Sequence, residues 1–161
     1  MLKIYLDSSA IVKRYVSEPG SSTVDYVFEK GWAGEVSITE SIWNIGEVLG
    51  VLDERRRRKW LSDRDFTGAI GNFANETLRL LRLKILEVTP LLTPMLIDSW
   101  PLILGEHVYQ ADAIQIQTCI YSKSNLLLSS DKELIDAALK IGLKAANVMD
   151  ENKVKGLVDG V

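Results

Sequence analysis

Five short apolar runs alternate with longer stretches of helical periodicity, and this order most constrains how the 161-residue chain can fold. Residues 2–6, 35–38, 85–88, 125–129 and 144–148 have strand length and composition. The run at 125–129 contains the triplet Leu126-Leu127-Leu128, the mark of a strand buried on both faces. Helical spacing is expected over residues 8–16, stopped by Glu18-Pro19-Gly20, and over 21–30, closed by Gly31. From Thr39 a further helix is expected, with Ile42, Ile45, Leu49 and Leu52 on one stripe. Another spans about 62–83, started by Ser62, with Asp63 and Asp65 in its first turn. Helical pattern returns over 91–104, 109–121 and 130–141, the last opened by a capping box of Ser130 and Glu133 and followed by Gly142. Strands alternating with helices predict an α/β fold, a central and mostly parallel sheet flanked by helices. No repeat or linker interrupts the chain, so one domain is expected over residues 1–148, followed by a polar, frayed tail at 149–161.

Composition narrows the function. Hydrophobic residues make up 47%, enough for a substantial core. With 19 basic and 22 acidic residues the formal charge is −3, so no global basicity advertises nucleic acid, although a local basic patch remains compatible with that balance. The single cysteine, Cys119, excludes a disulfide framework and a multi-cysteine zinc site; its apolar helical setting predicts a buried, inert thiol. The start of the chain lacks the charged and apolar segments of a signal peptide. The most apolar stretch, residues 90–105, carries Asp98 and three prolines, which argues against a membrane span. A soluble protein of a reducing, cytoplasmic compartment is expected.

Four acids stand out because each begins an element or sits inside an apolar helix: Asp7, Glu47, Asp112 and Asp131. Taken singly, each has an ordinary explanation. Asp7 before Ser8-Ser9 suits a helix cap, Asp131 suits a helix dipole, Asp112 is a first-turn acid, and Glu47 fits a surface position if the helix is rotated. Taken together, carboxylates beside apolar segments are costly to bury without neutralisation, and a cluster of hard oxygen donors is neutralised well by Mg²⁺ or Mn²⁺. Asp7 ends the first expected strand, and Asp131 follows the fourth by two residues. In parallel sheets, ligands bind at the carboxyl ends of strands, so the two acids would share one edge. Glu40 competes with Glu47; on one continuous helix the two would lie roughly 10 Å apart, too far to share a metal. Glu47 is preferred for its apolar neighbours.

The run Tyr5-Leu6-Asp7-Ser8-Ser9-Ala10-Ile11-Val12-Lys13-Arg14-Tyr15-Val16, followed by Glu18-Pro19-Gly20-Ser21, resembles the opening of PIN-domain proteins of the VapC toxin type. Ala111-Asp112-Ala113-Ile114-Gln115-Ile116 resembles their central acidic motif, and Leu127-Leu128-Ser129-Ser130-Asp131-Lys132-Glu133-Leu134 their C-terminal motif. Glu47-Val48 with Leu52 is a looser match to the intervening glutamate motif. The resemblance covers residues 1 to about 148. It implies that Asp7, Glu47, Asp112 and Asp131 hold Mg²⁺ or Mn²⁺, with Asp7 and Asp112 the firmest ligands. Ser129 stands where the family usually has threonine, and it keeps the hydroxyl. The resemblance further implies hydrolysis of RNA with a 3′-hydroxyl product, an antitoxin partner that blocks the site through a segment carrying a cation, and a homodimer.

Other features admit plainer readings. Arg55-Arg56-Arg57-Arg58-Lys59 is the one basic cluster; it suits the C-terminus of the Glu47 helix as well as an RNA backbone. Trp60 is expected to pack against the next helix, and His107 to serve a loop or cap. A haloacid-dehalogenase-like phosphatase is disfavoured because Asp7-Ser8-Ser9 lacks the second acid of a D-x-D pattern. The alternative kept open is a catalytically silent PIN-like module that binds RNA or protein.

Overall fold

The computed structural model describes residues 1–160. Five parallel strands, β1 (Leu2–Leu6), β2 (Val36–Ser41), β3 (Leu86–Thr89), β4 (Leu126–Ser129) and β5 (Ala145–Asn147), form one sheet in the order β3-β2-β1-β4-β5. The chain builds outward from β1 to β3, then returns beside β1 with β4. The connections that leave β1 and β4 therefore diverge, which opens a crevice at their carboxyl ends. Asp7 N–H donates to Leu128 O at 3.2 Å and extends the pairing to the mouth of that crevice.

Helices cover both faces. α1 (Ser8–Tyr15), α2 (Ser21–Trp32), α3 (Ile42–Arg57) and α4 (Asp63–Arg82) lie on one side with α8 (Glu151–Asp159), and α6 (Gln110–Tyr121) and α7 (Lys132–Lys140) on the other. A short α5 (Thr93–Asp98) and one π-helical turn (Pro101–Gly105) lead into α6. The period-2 alternation of strands explains the two cores. Leu126 and Leu128 join Ile4 and Leu6 on the first face, while Leu127 joins Tyr5 on the second. Each fully buried leucine contributes about 1.5–3 kcal/mol relative to exposure, so the Leu triplet anchors both layers at once.

Four local expectations are corrected. The third helix does not begin at Thr39: β2 runs to Ser41, because Glu40 and Ser41 continue the ladder against Val88 and Thr89, and Ser41 then caps α3. The 91–104 segment is two pieces rather than one helix, since Pro101 lacks an N–H to continue α5. α7 is capped by Asp131, which accepts from Glu133 N and Leu134 N, and the Ser130 box does not form because Ser130 bonds Ser9 instead. The expected loose tail is α8, whose Val154 and Val158 enter the core four residues apart on one stripe. Cys119 is buried as expected, and burial pushes its thiol up to about 12. Among the described residues, no helix is long and apolar enough to cross a membrane.

Candidate active site

β1 ends at the switch point, and Asp7 caps α1 from there. Its Oδ1 accepts from Ala10 N at 3.0 Å and Ser9 Oγ at 2.9 Å; its Oδ2 accepts from Ser129 Oγ at 3.0 Å. Only 4% of Asp7 is exposed, and burial raises its carboxyl to about 6 against the lowering effect of these donors. Ser129, the last residue of β4, also accepts from Asp131 N at 2.8 Å. One hydroxyl thus ties the carboxylate after β1 to the turn after β4. Ser9 adds a second tie by accepting from Ser130 N at 2.9 Å.

Asp131 is exposed, with Oδ1 engaged by the α7 amides at 2.8 and 3.3 Å. Asp112 is half-buried in the first turn of α6 and accepts no hydrogen bond among the described residues. Burial, and after it the charges of Asp131, Glu133 and Glu47, raises its carboxyl to about 6.

Glu47 lies one turn into α3, half-buried, and is held from the opposite layer. Gln115 Nε2 donates to Glu47 Oε2 at 2.8 Å, and Asn44 Nδ2 donates to Gln115 Oε1 at 3.0 Å. Tyr5 Oη lies within hydrogen-bonding distance of Gln115 Oε1 and 3.0 Å from Asn44 Oδ1. Burial, and then the charges of Asp7, Cys119 and Glu47, push the Tyr5 phenol well above its ordinary value, so it stays a donor. Tyr5, Asn44 and Gln115 are fully or almost fully buried, so this network connects β1, α3 and α6 beneath the acids. Sequence reading did not single out these three residues. The signal available was a set of polar residues at buried positions two or three residues from an acid.

Glu40 and Glu47 do not share a helix, so the expected helical spacing between them does not apply. Glu40 is a β2 residue on the same face as Ile38, 3% exposed, with Oε1 unpartnered, and burial alone raises it to about 7.

The donor set is all oxygen, carboxylates with flanking hydroxyls, which matches the ligand chemistry of Mg²⁺ and Mn²⁺. Among the described residues, no three Asp, Glu, His or Cys side chains close into a ready-made ligand group. Mg²⁺ suits such an open arrangement, since it keeps several waters and takes one or two carboxylates directly.

The basic cluster ends α3, and its arginines are paired: Arg55 with Glu18 at 2.8 Å, Arg56 and Arg57 with Asp53, and Arg58 with Glu54. Trp60 does not pack against the next helix. It is 70% exposed because Lys59, at φ 60°, reverses the chain after α3; the Arg58 guanidinium lies over its ring. His107 lies in the loop before α6, as expected, at φ 56°.

A parallel sheet covered on both faces, with Asp7 tied through Ser129 to the turn that carries Asp131 at its switch point, defines an α/β protein whose crevice suits a metal or a polar ligand. The family model of the PIN domain matches residues 4–140, and the chain belongs to the PIN domain family. No curated protein matches the sequence. Among solved structures, PAE2754 from Pyrobaculum aerophilum is similar at TM-score 0.65 and 15% identity, over 99% of this chain and 97% of that one. VapC20 from Mycobacterium tuberculosis, described as a Sarcin-Ricin loop cleaving toxin, is similar at TM-score 0.59 and 14% identity, over 87% and 95%. VapBC2 from Rickettsia felis, bound to a DNA fragment from its promoter, is similar at TM-score 0.61 and 12% identity, over 91% and 98%. At these identities the likeness is one of fold.

Proposed function

We propose that this PIN domain is a Mg²⁺- or Mn²⁺-dependent endoribonuclease, the toxin of a cytoplasmic toxin–antitoxin pair. The observation that carries the reading is Asp112 itself, half-buried in the first turn of α6 without a hydrogen-bond donor among the described residues and under the charges of Asp131, Glu133 and Glu47, a concentration of negative charge that a divalent cation relieves. Asp7 and Asp112 would be its firmest ligands, with Glu47 and Asp131 beside them. The bound cation would lower the pKa of a water and offset charge on the phosphate during in-line attack.

The chain's own residues supply the positioning. Ser9, Ala10 and Ser129 hold Asp7 in one orientation, and Oδ2 receives only the Ser129 bond, so it keeps a spare lone pair. Gln115 restrains Glu47 from swinging into solvent. Asp131 presents Oδ2 while Oδ1 caps α7. Hydrolysis of an RNA phosphodiester here would leave a 3′-hydroxyl. The solved relatives that are a Sarcin-Ricin loop cleaving toxin and a VapBC assembly support RNA as substrate and an antitoxin as partner. A homodimer is the expected assembly.

The second reading, a silent RNA- or protein-binding module, is favoured by the capping duty of Asp131, which commits one of its carboxylate oxygens to α7. Cleavage of a mixed RNA panel in Mg²⁺, Mn²⁺ or EDTA, comparing wild type with Asp112→Asn, separates the two. Metal-dependent cutting lost in the variant supports the nuclease. No cutting of any RNA by a folded, cation-binding wild type supports the module.

A further inference from the structure

A cavity of about 310 Å³ opens beside Asp112, between the loop that precedes α6 and the flank of α7. Leu102, Val108, Ala137 and Ile141 supply apolar lining, and Tyr109, 66% exposed, stands at its edge three residues before Asp112. We propose that this cavity receives the nucleobase next to the scissile phosphate of a single-stranded RNA, stacked on Tyr109, with Glu133 accepting from its exocyclic amino group. The inference rests on the nuclease reading and assigns part of its substrate recognition.

Charge selects the occupant. Glu106, Asp112, Glu133 and Asp136 line the cavity against Lys140 and the one histidine, so a phosphate is repelled from it. An uncharged ring is not repelled, and the apolar lining and the phenol ring favour a flat aromatic surface. Because Asp112 belongs to both the cavity and the acid group, a base seated here puts its own backbone at the crevice. Two of the lining acids are committed: Glu106 pairs with Lys140, and Asp136 with Lys132 at 2.6 Å. Glu133 forms no ion pair among the described residues, which leaves its carboxylate as an acceptor. A carboxylate accepts from the exocyclic amino groups of adenine, cytosine or guanine, whereas uracil has none and offers only its ring N3–H at a different position.

The test pairs binding with cleavage on the full chain. Labelled hexanucleotides of A, C, G or U are titrated in Ca²⁺, and RNA containing all flanking contexts is cut in Mg²⁺ or Mn²⁺. Wild type, Tyr109→Ala, Tyr109→Phe and Glu133→Gln are compared, with thermal unfolding as the control for folding. Wild type is expected to bind the U hexamer least. Tyr109→Ala is expected to weaken binding of the others about ten-fold and to raise KM rather than lower kcat, while Tyr109→Phe stays near wild type. Glu133→Gln is expected to narrow the gap between U and the amino-bearing bases. Cutting by wild type with Tyr109→Ala unchanged in affinity, KM and flanking base overturns the subsite and leaves the nuclease intact. Tyr109-dependent binding without cutting supports the subsite and removes the nuclease. Neither binding nor cutting overturns both. Tyr109-dependent capture of a short arginine-rich peptide, with RNA indifferent to Tyr109, overturns the proposal in favour of a cationic segment.

Discussion

Gln115 and Glu47, 68 residues apart and on opposite layers of the sheet, are joined by a 2.8 Å hydrogen bond from Nε2 to Oε2. Gln115 Oε1 accepts from Asn44 Nδ2 and from the Tyr5 hydroxyl, so a buried polar chain runs beneath the acids. Replacing one member leaves the others unsatisfied. Gln115→Leu is therefore expected to cost about 1–3 kcal/mol in urea unfolding and to lower RNA cleavage about ten-fold or more. Gln115→Glu keeps the shape but faces Glu47 with a second negative charge, and should lower cleavage at pH 8 more than at pH 5.5. Unchanged activity in both variants would sever the network from the site.

Ser129 is the second joint, since it donates to Asp7 and accepts from Asp131 N. Ser129→Ala should lose about 1–3 kcal/mol of stability and most activity. Ser129→Thr keeps the hydroxyl and should retain the activity. Equal losses in the two variants would show that packing volume matters there more than the hydroxyl.

Burial raises the carboxyls of Asp7 and Asp112 to about 6 and of Glu40 to about 7. The folded state then binds more protons than the unfolded chain between about pH 4 and 7, so stability falls as pH rises through that window. The contribution is fully present below about pH 4 and lost above about pH 7. For Glu40 alone the shift corresponds to about 3 kcal/mol. Glu40→Gln should remove that part of the slope, so its thermal midpoint should exceed that of wild type at pH 8 and converge with it near pH 4.5. A wild type more stable at pH 8 than at pH 5 without divalent cation contradicts the assignment.

Cation binding should reverse this slope in part, because it favours the ionised acids. Mn²⁺ at a hundred times its Kd would stabilise wild type by about 2.7 kcal/mol, read as a rise in Tm. Asp112→Asn should show little or none of it. A rise of the same size in the variant would move the cation elsewhere.

α8 buries Val154 and Val158 against the first core. Deleting residues 150–161 exposes their binding surface and is expected to cost about 3–5 kcal/mol, measured as a lower urea midpoint. A truncated chain of unchanged stability would make α8 a dispensable appendage.

Much of the architecture is written locally. The Leu126–Leu128 triplet needs apolar surroundings on both faces wherever it lies, so a covered parallel strand follows from the sequence. Asp7 and Asp131, each just past a strand, were likewise legible as neighbours once the strands are parallel. α8 was less so, because a polar segment with two valines acquires its meaning only when a partner surface covers them. Glu40 was misplaced because a strand running directly into a helix leaves no turn signal, and only pairing with Val88 and Thr89 keeps residues 40 and 41 extended.

The sequence by itself determined the alternation of elements, the two-faced core and the acids beside apolar segments, since burial periodicity is a local property of the chain. Tertiary structure decided which acids meet and what holds them. Return of β4 to the side of β1 brings Ser129 to Asp7, and the packing of α6 over the sheet brings Gln115 to Glu47. Such bonds between distant residues depend on strand order and layer packing, and periodicity carries no record of either.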